Sequence, residues 1–225
     1  MFNTLVVSPC HDSVNTKLHN LLQMTIIPYI LSKGIWDLTY LECDSAIRDV
    51  VHSNMESKGI LIHGHGHGGS VSGHDSQPIF DTGDTGLPIY MDMLEGKIMY
   101  SMSCNTGDLL GPKMVNEYGG LAFAGFDDYP PCGESEKYQR TLPFFWLRLL
   151  DGYTVGEAYS MAMYNYDYWI DWYNNAEPPP DQPGKYKAAA YTLTRLMDHF
   201  VVFGNMDARL VQYKQTDNQQ VTINV

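Results

Sequence analysis

Short apolar runs recur along the first half of the chain, each bounded by a turn or capping residue. Residues 4–8 (TLVVS) stop at Pro9 and have the length and β-branched content of a buried strand. A helical pattern follows. Asp12 or Ser13 can cap it, Gly34 ends it, and Pro28 is expected to kink or divide it. Residues 37–42 (DLTYLE) predict a second strand. Asp44 is placed to cap a helix over residues 45–54, with Ile47, Val50 and Val51 on one face. Residues 59–62, 97–102 and 121–125 predict three more strands, and residues 109–118 a helix that Gly119 terminates. Residues 78–81 and 87–90, separated by TGDTG, can form a small hairpin.

The second half is more helical. Thr154 and Glu157 form a capping-box pattern. Val155, Ala158, Tyr159, Ala162, Met163, Tyr166, Trp169, Ile170 and Tyr173 then make one apolar stripe. Residues 177–184 (EPPPDQPG) are a loop, residues 188–200 a helix and residues 208–213 a last strand. Strands alternating with helices predict an α/β fold: a mainly parallel sheet with right-handed crossovers and helices on both faces. In such folds ligands bind outside the carboxyl ends of the strands.

Composition adds limits. The chain has 225 residues, 44% of them hydrophobic and 18% charged, enough for a full core in one domain over 1–225. Its core is expected over about 4–213, with a polar tail from 214. Asp plus Glu number 26 against 14 Lys plus Arg, a net charge of −12. That balance disfavours nucleic-acid and anionic-membrane partners, whose phosphates need clustered cations. No apolar stretch is long enough to span a membrane, and the N-terminus lacks the basic segment of a signal peptide. Cys10, Cys43, Cys104 and Cys132 are widely spaced with no CxxC pair. A reduced, cytoplasmic protein without a disulfide framework is the expectation.

Two strand ends carry the candidate chemistry. The third predicted strand runs into GILIHGHGHGG and the fourth into KIMYSMSCNTGD. If these strands are neighbours, His65 and Cys104 meet at one sheet edge. A nearby imidazole raises the thiolate fraction of a cysteine or exchanges its proton during attack. The glycines let backbone N–H groups approach an oxyanion, and Gly66 and Cys104 are the candidate donors. His63 and His67 also adjoin glycines, so the register of the histidine stays open.

These blocks resemble the caspase–gingipain group of cysteine endopeptidases, which includes separases and CHAT domains. In that group an apolar strand ends in Gly-His-Gly or Ser-His-Gly, and a second ends in the nucleophilic cysteine. Here the blocks are ILIHGHG and IMYSMSC. SCNTGDL is similar to the gingipain Cys-x-x-Gly-Asp continuation, and DGYTVGEAYSMAM to the start of a downstream family helix. FGNMDARLVQY resembles the family's closing strand, although Asn205, Met206 and Ala208 stand where Asp, Pro and Leu are usual. The resemblance covers roughly residues 4–213.

It implies a three-layer caspase-like domain and peptide hydrolysis through a dyad of His65 and Cys104, with no cofactor. It also implies an oxyanion site on the Gly66 and Cys104 amides, a protein or peptide substrate and, in some relatives, a regulatory subunit. The family's P1 pocket draws on the loops after the first and fifth strands and on residues just before the cysteine. Asp12, Asp127, Asp128 and Met102 occupy those positions. The acids point to cleavage after Arg or Lys. Two rivals stand beside this reading. One is a zinc hydrolase using His63, His65, His67, His74 and Asp75. The other is a caspase-like interaction domain without activity.

Overall fold

A computed structural model describes residues 2–83, 90–130 and 135–211. Its centre is a six-stranded sheet of β1 (Phe2–Ser8), β2 (Trp36–Glu42), β3 (Gly59–Ile62), β7 (Ile98–Ser101), β8 (Ala122–Phe126) and β9 (Phe200–Gly204). The spatial order is β2-β1-β3-β7-β8-β9. All pairs are parallel except β8 with β9. A small antiparallel sheet of β4 (Gly66–His67), β5 (Ser70–Ser72) and β6 (Pro78–Asp81) follows β3.

Each face of the large sheet has its own core, because alternate residues of a strand point to opposite sides. Val6, Leu61 and Tyr100 pack with α1 (Ser13–Met24), α2 (Ile26–Lys33), α6 (Phe144–Leu150), α7 (Val155–Asn175) and α8 (Lys185–Asp198). Leu5, Val7, Ile60, Ile62 and Met99 pack on the other face with α3 (Arg48–His52), α4 (Leu110–Asn116) and the small sheet. A further short helix, α5 (Glu136–Thr141), joins the first face through Tyr138. The arrangement is α/β, with a mostly parallel sheet between two layers.

Several local expectations hold. Asp12 caps α1 by accepting from the amides of Val14 (2.7 Å) and Asn15 (2.9 Å). The long helix divides at Thr25, so Pro28 falls in the first turn of α2, where a missing N–H costs no helical bond. Gly34 ends α2 in the left-handed conformation. Thr154 and Glu157 form the reciprocal capping box of α7.

Three expectations are corrected. The helix expected over residues 45–54 shrinks to α3, preceded by a single 3-10 turn, Cys43–Ser45. The Ala46 carbonyl accepts from the His74 amide (2.8 Å) instead of continuing a helix, and Asp44 pairs with the His74 ring rather than capping. The last described strand is β9, and residues 208–211, the described part of the strand expected over 208–213, do not join the sheet. The carbonyls of Met206 and Ala208 accept from Gly156 (2.8 Å) and Val155 (2.9 Å), so this segment satisfies the start of α7 instead of a sheet ladder. Residues 212–225, including the expected tail, lie outside the described residues. So does the second hairpin strand, apart from Tyr90.

The third correction concerns the cysteines. Cys10 and Cys43 form a disulfide with a Cα–Cα distance of 4.8 Å. β1 and β2 run parallel in register, with Ser8 opposite Glu42, so both cysteines leave the same edge of neighbouring strands. Spacing along the chain carries no information about that adjacency. Cys132 lies outside the described residues.

Among the described residues no helix is long and apolar enough to cross a membrane.

Candidate active site

β3 and β7 are direct parallel neighbours, with Ile62 opposite Ser101. The pairing runs one residue further, as the Met102 amide donates to the Ile62 carbonyl (2.9 Å). The His-rich loop and Cys104 therefore leave the sheet together, at its carboxyl edge. Gly66 sits directly on the Cys104 backbone. A Cβ there would overlap the Cys104 carbonyl oxygen and come within 2.8 Å of its amide nitrogen. Only glycine permits this approach. Cys104 itself is half-buried and not part of a disulfide.

The loop after Cys104 is held from both sides. Asn105, at φ 54°, donates its amide to the Asp128 carbonyl (3.1 Å), and Gly107 donates to Phe126 (2.8 Å). Leu110 donates to the Gly68 carbonyl of the His-rich loop (3.1 Å). Thr106 donates to the Ser103 carbonyl and bonds to the Ser101 hydroxyl beneath. The nucleophile candidate thus stands on a rigid turn between the loops after β3 and β8.

The three loop histidines have different surroundings. His63 is fully buried, its Nε2 on Ser8 Oγ (2.8 Å) and its Nδ1 near Asn15 Oδ1 (3.4 Å). His67 is exposed on β4. His65 is exposed and donates from Nε2 to Asp12 Oδ2 at 2.6 Å. Partial burial works against the Asp12 charge. Bonds from the Asn15 amide, the His65 ring, the Asn15 side chain and the Val14 amide outweigh it and hold the carboxyl well below its usual range. An ionised Asp12 fixes the His65 tautomer, with hydrogen on Nε2 and the lone pair on Nδ1. Sequence reasoning placed Asp12 beside the site but not on the imidazole, since that bond depends on β1 lying next to β3.

Burial brings the His63 ring down to about 3, with the nearby rings of His19 and His11 adding to the effect and Asp12 opposing it. The unfolded chain, near 6.5, then takes up a proton that the native protein excludes. Stability is complete above pH 6.5 and declines as pH falls toward 3. Between pH 7 and 5 the expected loss from this group is about 2 kcal/mol. Urea denaturation at the two pH values checks it. His63→Gln should be less stable at pH 7 but lack this part of the pH dependence.

The remaining candidates are spread. Met102 is 2% exposed and packs in the α1/α7 core, so the structure does not bring it to the surface with the others. Asp127 pairs with His199 Nδ1 (2.9 Å), and Asp128 with Arg195 and His199. Asp108, in the loop after Cys104, joins these acids. Partial burial, then the charges of Asp127 and Asp128, push its carboxyl up. SCNTGD contained Asp108, but nothing along the chain linked it to Asp127 and Asp128.

The metal set of the zinc rival does not assemble. His63 is in the core, and His74 is engaged by Asp44 (2.9 Å) and the Cys10 amide (3.4 Å). Among the described residues one other group has metal-binding composition: His11, Asp12 and His65, with ligand atoms all within 4.8 Å of one another. No protein-family model and no curated protein sequence matches the chain.

Proposed function

We propose that the chain is a cysteine endopeptidase of caspase–gingipain type, cleaving protein substrates after Arg or Lys. The observation that carries this reading is Gly66 seated on the Cys104 backbone, with His65 beside it, where β3 and β7 end together. In the proposed reaction Cys104 Sγ attacks the scissile carbonyl, and the oxyanion is met by the Gly66 and Cys104 amides. His65 holds one N–H on Asp12. Its other nitrogen, Nδ1, takes the thiol proton and delivers it to the leaving amine. Water then hydrolyses the thioester and regenerates the thiol.

The basic P1 preference draws support from Asp108, whose carboxyl is pushed up by burial and by the charges of Asp127 and Asp128, and which a substrate cation would favour in its ionised form. Asp12 is committed to His65, so it acts here through the histidine rather than as a P1 contact. On fluorogenic peptides differing only at P1, Arg and Lys should be cleaved at least tenfold faster than Leu, and Asp least. Efficient Asp cleavage would overturn the preference.

The Cys10–Cys43 bond favours an oxidising compartment over the reducing cytoplasm expected from cysteine spacing.

A further inference from the structure

We infer that His11, Asp12 and His65 form a site for a borderline divalent cation, Zn²⁺ in particular, and that occupancy of this site switches the peptidase off. The binding claim rests on the cluster alone; the switch rests on His65 being the dyad histidine.

Two imidazoles and one carboxylate are a ligand set that zinc accepts, with a fourth position left for water. Part of the geometry is in place, with the three ligand atoms within 4.8 Å of one another. His11 and His65 both direct Nε2 at the same atom, Asp12 Oδ2, at 3.2 and 2.6 Å. Metal–ligand bonds of 2.0–2.1 Å in a tetrahedron put neighbouring ligand atoms about 3.3 Å apart. The His11 contact already has that spacing, and the His65 contact must open by about 0.7 Å.

The surroundings restrain the ligands. Asp12 is fixed by its cap to α1, and the adjacent Cys10 by its disulfide. The His11 ring packs edge-on against both His65 and His74, with centroids 5.5 and 5.4 Å apart.

The effect on catalysis follows from the tautomer. With no metal, His65 keeps hydrogen on Nε2 and a lone pair on Nδ1. A cation on Nε2 moves that hydrogen to Nδ1. The ring then has no lone pair with which to take the thiol proton, and as a ligand it cannot become imidazolium.

The test uses the full chain, stripped of metal, and titrates ZnCl₂ by calorimetry with Cys104→Ala as well as wild type. One equivalent should bind in both, because Cys104 is not a ligand. His11→Gln and Asp12→Asn should each weaken binding tenfold or more; Asn retains helix-capping ability, so the second variant separates ligand loss from cap loss. In parallel, zinc inhibition of peptide hydrolysis is measured against each protein's own zinc-free rate. The inhibiting concentration should rise tenfold or more in His11→Gln. Absence of stoichiometric binding, or binding indifferent to both substitutions, overturns the site. Site binding without inhibition overturns the switch. If zinc binds as described but the zinc-free protein hydrolyses no peptide, the site stands and the peptidase reading fails.

Discussion

Cys104→Ala should lower peptide hydrolysis by three orders of magnitude or more, on the order of what removal of a nucleophile costs enzymes with a covalent intermediate. The sulfur forms the only covalent bond between protein and substrate in the proposed pathway, so nothing replaces it. Folding should be untouched: the side chain is small and half-buried, and the turn is held by backbone bonds from Asn105, Gly107 and Leu110. His65→Ala should cost less, about 10²–10⁴-fold, the usual span for a lost proton-transfer group. The double variant should be no slower than Cys104→Ala alone, since both residues serve one chemical step. Initial rates with a P1 arginine peptide, beside circular dichroism of each variant, check the set. A Cys104→Ala protein within tenfold of wild type would remove the cysteine from the chemistry.

Breaking the Cys10–Cys43 bond should lower stability by about 3.5–4 kcal/mol, the loop-closure value for a 33-residue separation. For a chain of this size that is a fall in Tm of roughly 7–15 °C. The bond ties the exits of β1 and β2 together, and His11 and Asp12 follow the end of β1 by three and four residues. Its loss should therefore also loosen the carboxylate that orients His65. Cys10→Ser/Cys43→Ser and dithiothreitol-treated wild type should show the same shift in urea midpoint. An unchanged midpoint under full reduction would mean that the two thiols are not paired in the folded protein.

The sequence disclosed what local pattern determines. TLVVS, GILI and AFAG read as continuous runs because their strands are buried on both faces. Asp12, Gly34 and the Thr154–Glu157 pair act within one helical turn and were legible for that reason. What depended on strand adjacency was hidden. The disulfide needs β1 beside β2, the Asp12–His65 bond needs β1 beside β3, and the Asp108 group needs β7 beside β8. β9 was missed because Phe200 follows Leu193 and Leu196 at helical spacing and so reads as the end of α8, while the later buried residues, Ala208, Leu210 and Val211, fill the core without joining the sheet. The His-rich loop was readable as a site, but which histidine is buried and which exposed emerged only from the fold.

Covalent labelling tests the dyad most directly. A peptidyl chloromethyl ketone with P1 arginine should add one equivalent to the intact protein, located by peptide mass spectrometry on Cys104, with activity lost in proportion to labelling. Cys104→Ala should take up no label. Undiminished peptide hydrolysis by protein fully alkylated at Cys104, or hydrolysis abolished by a chelator, would contradict the account.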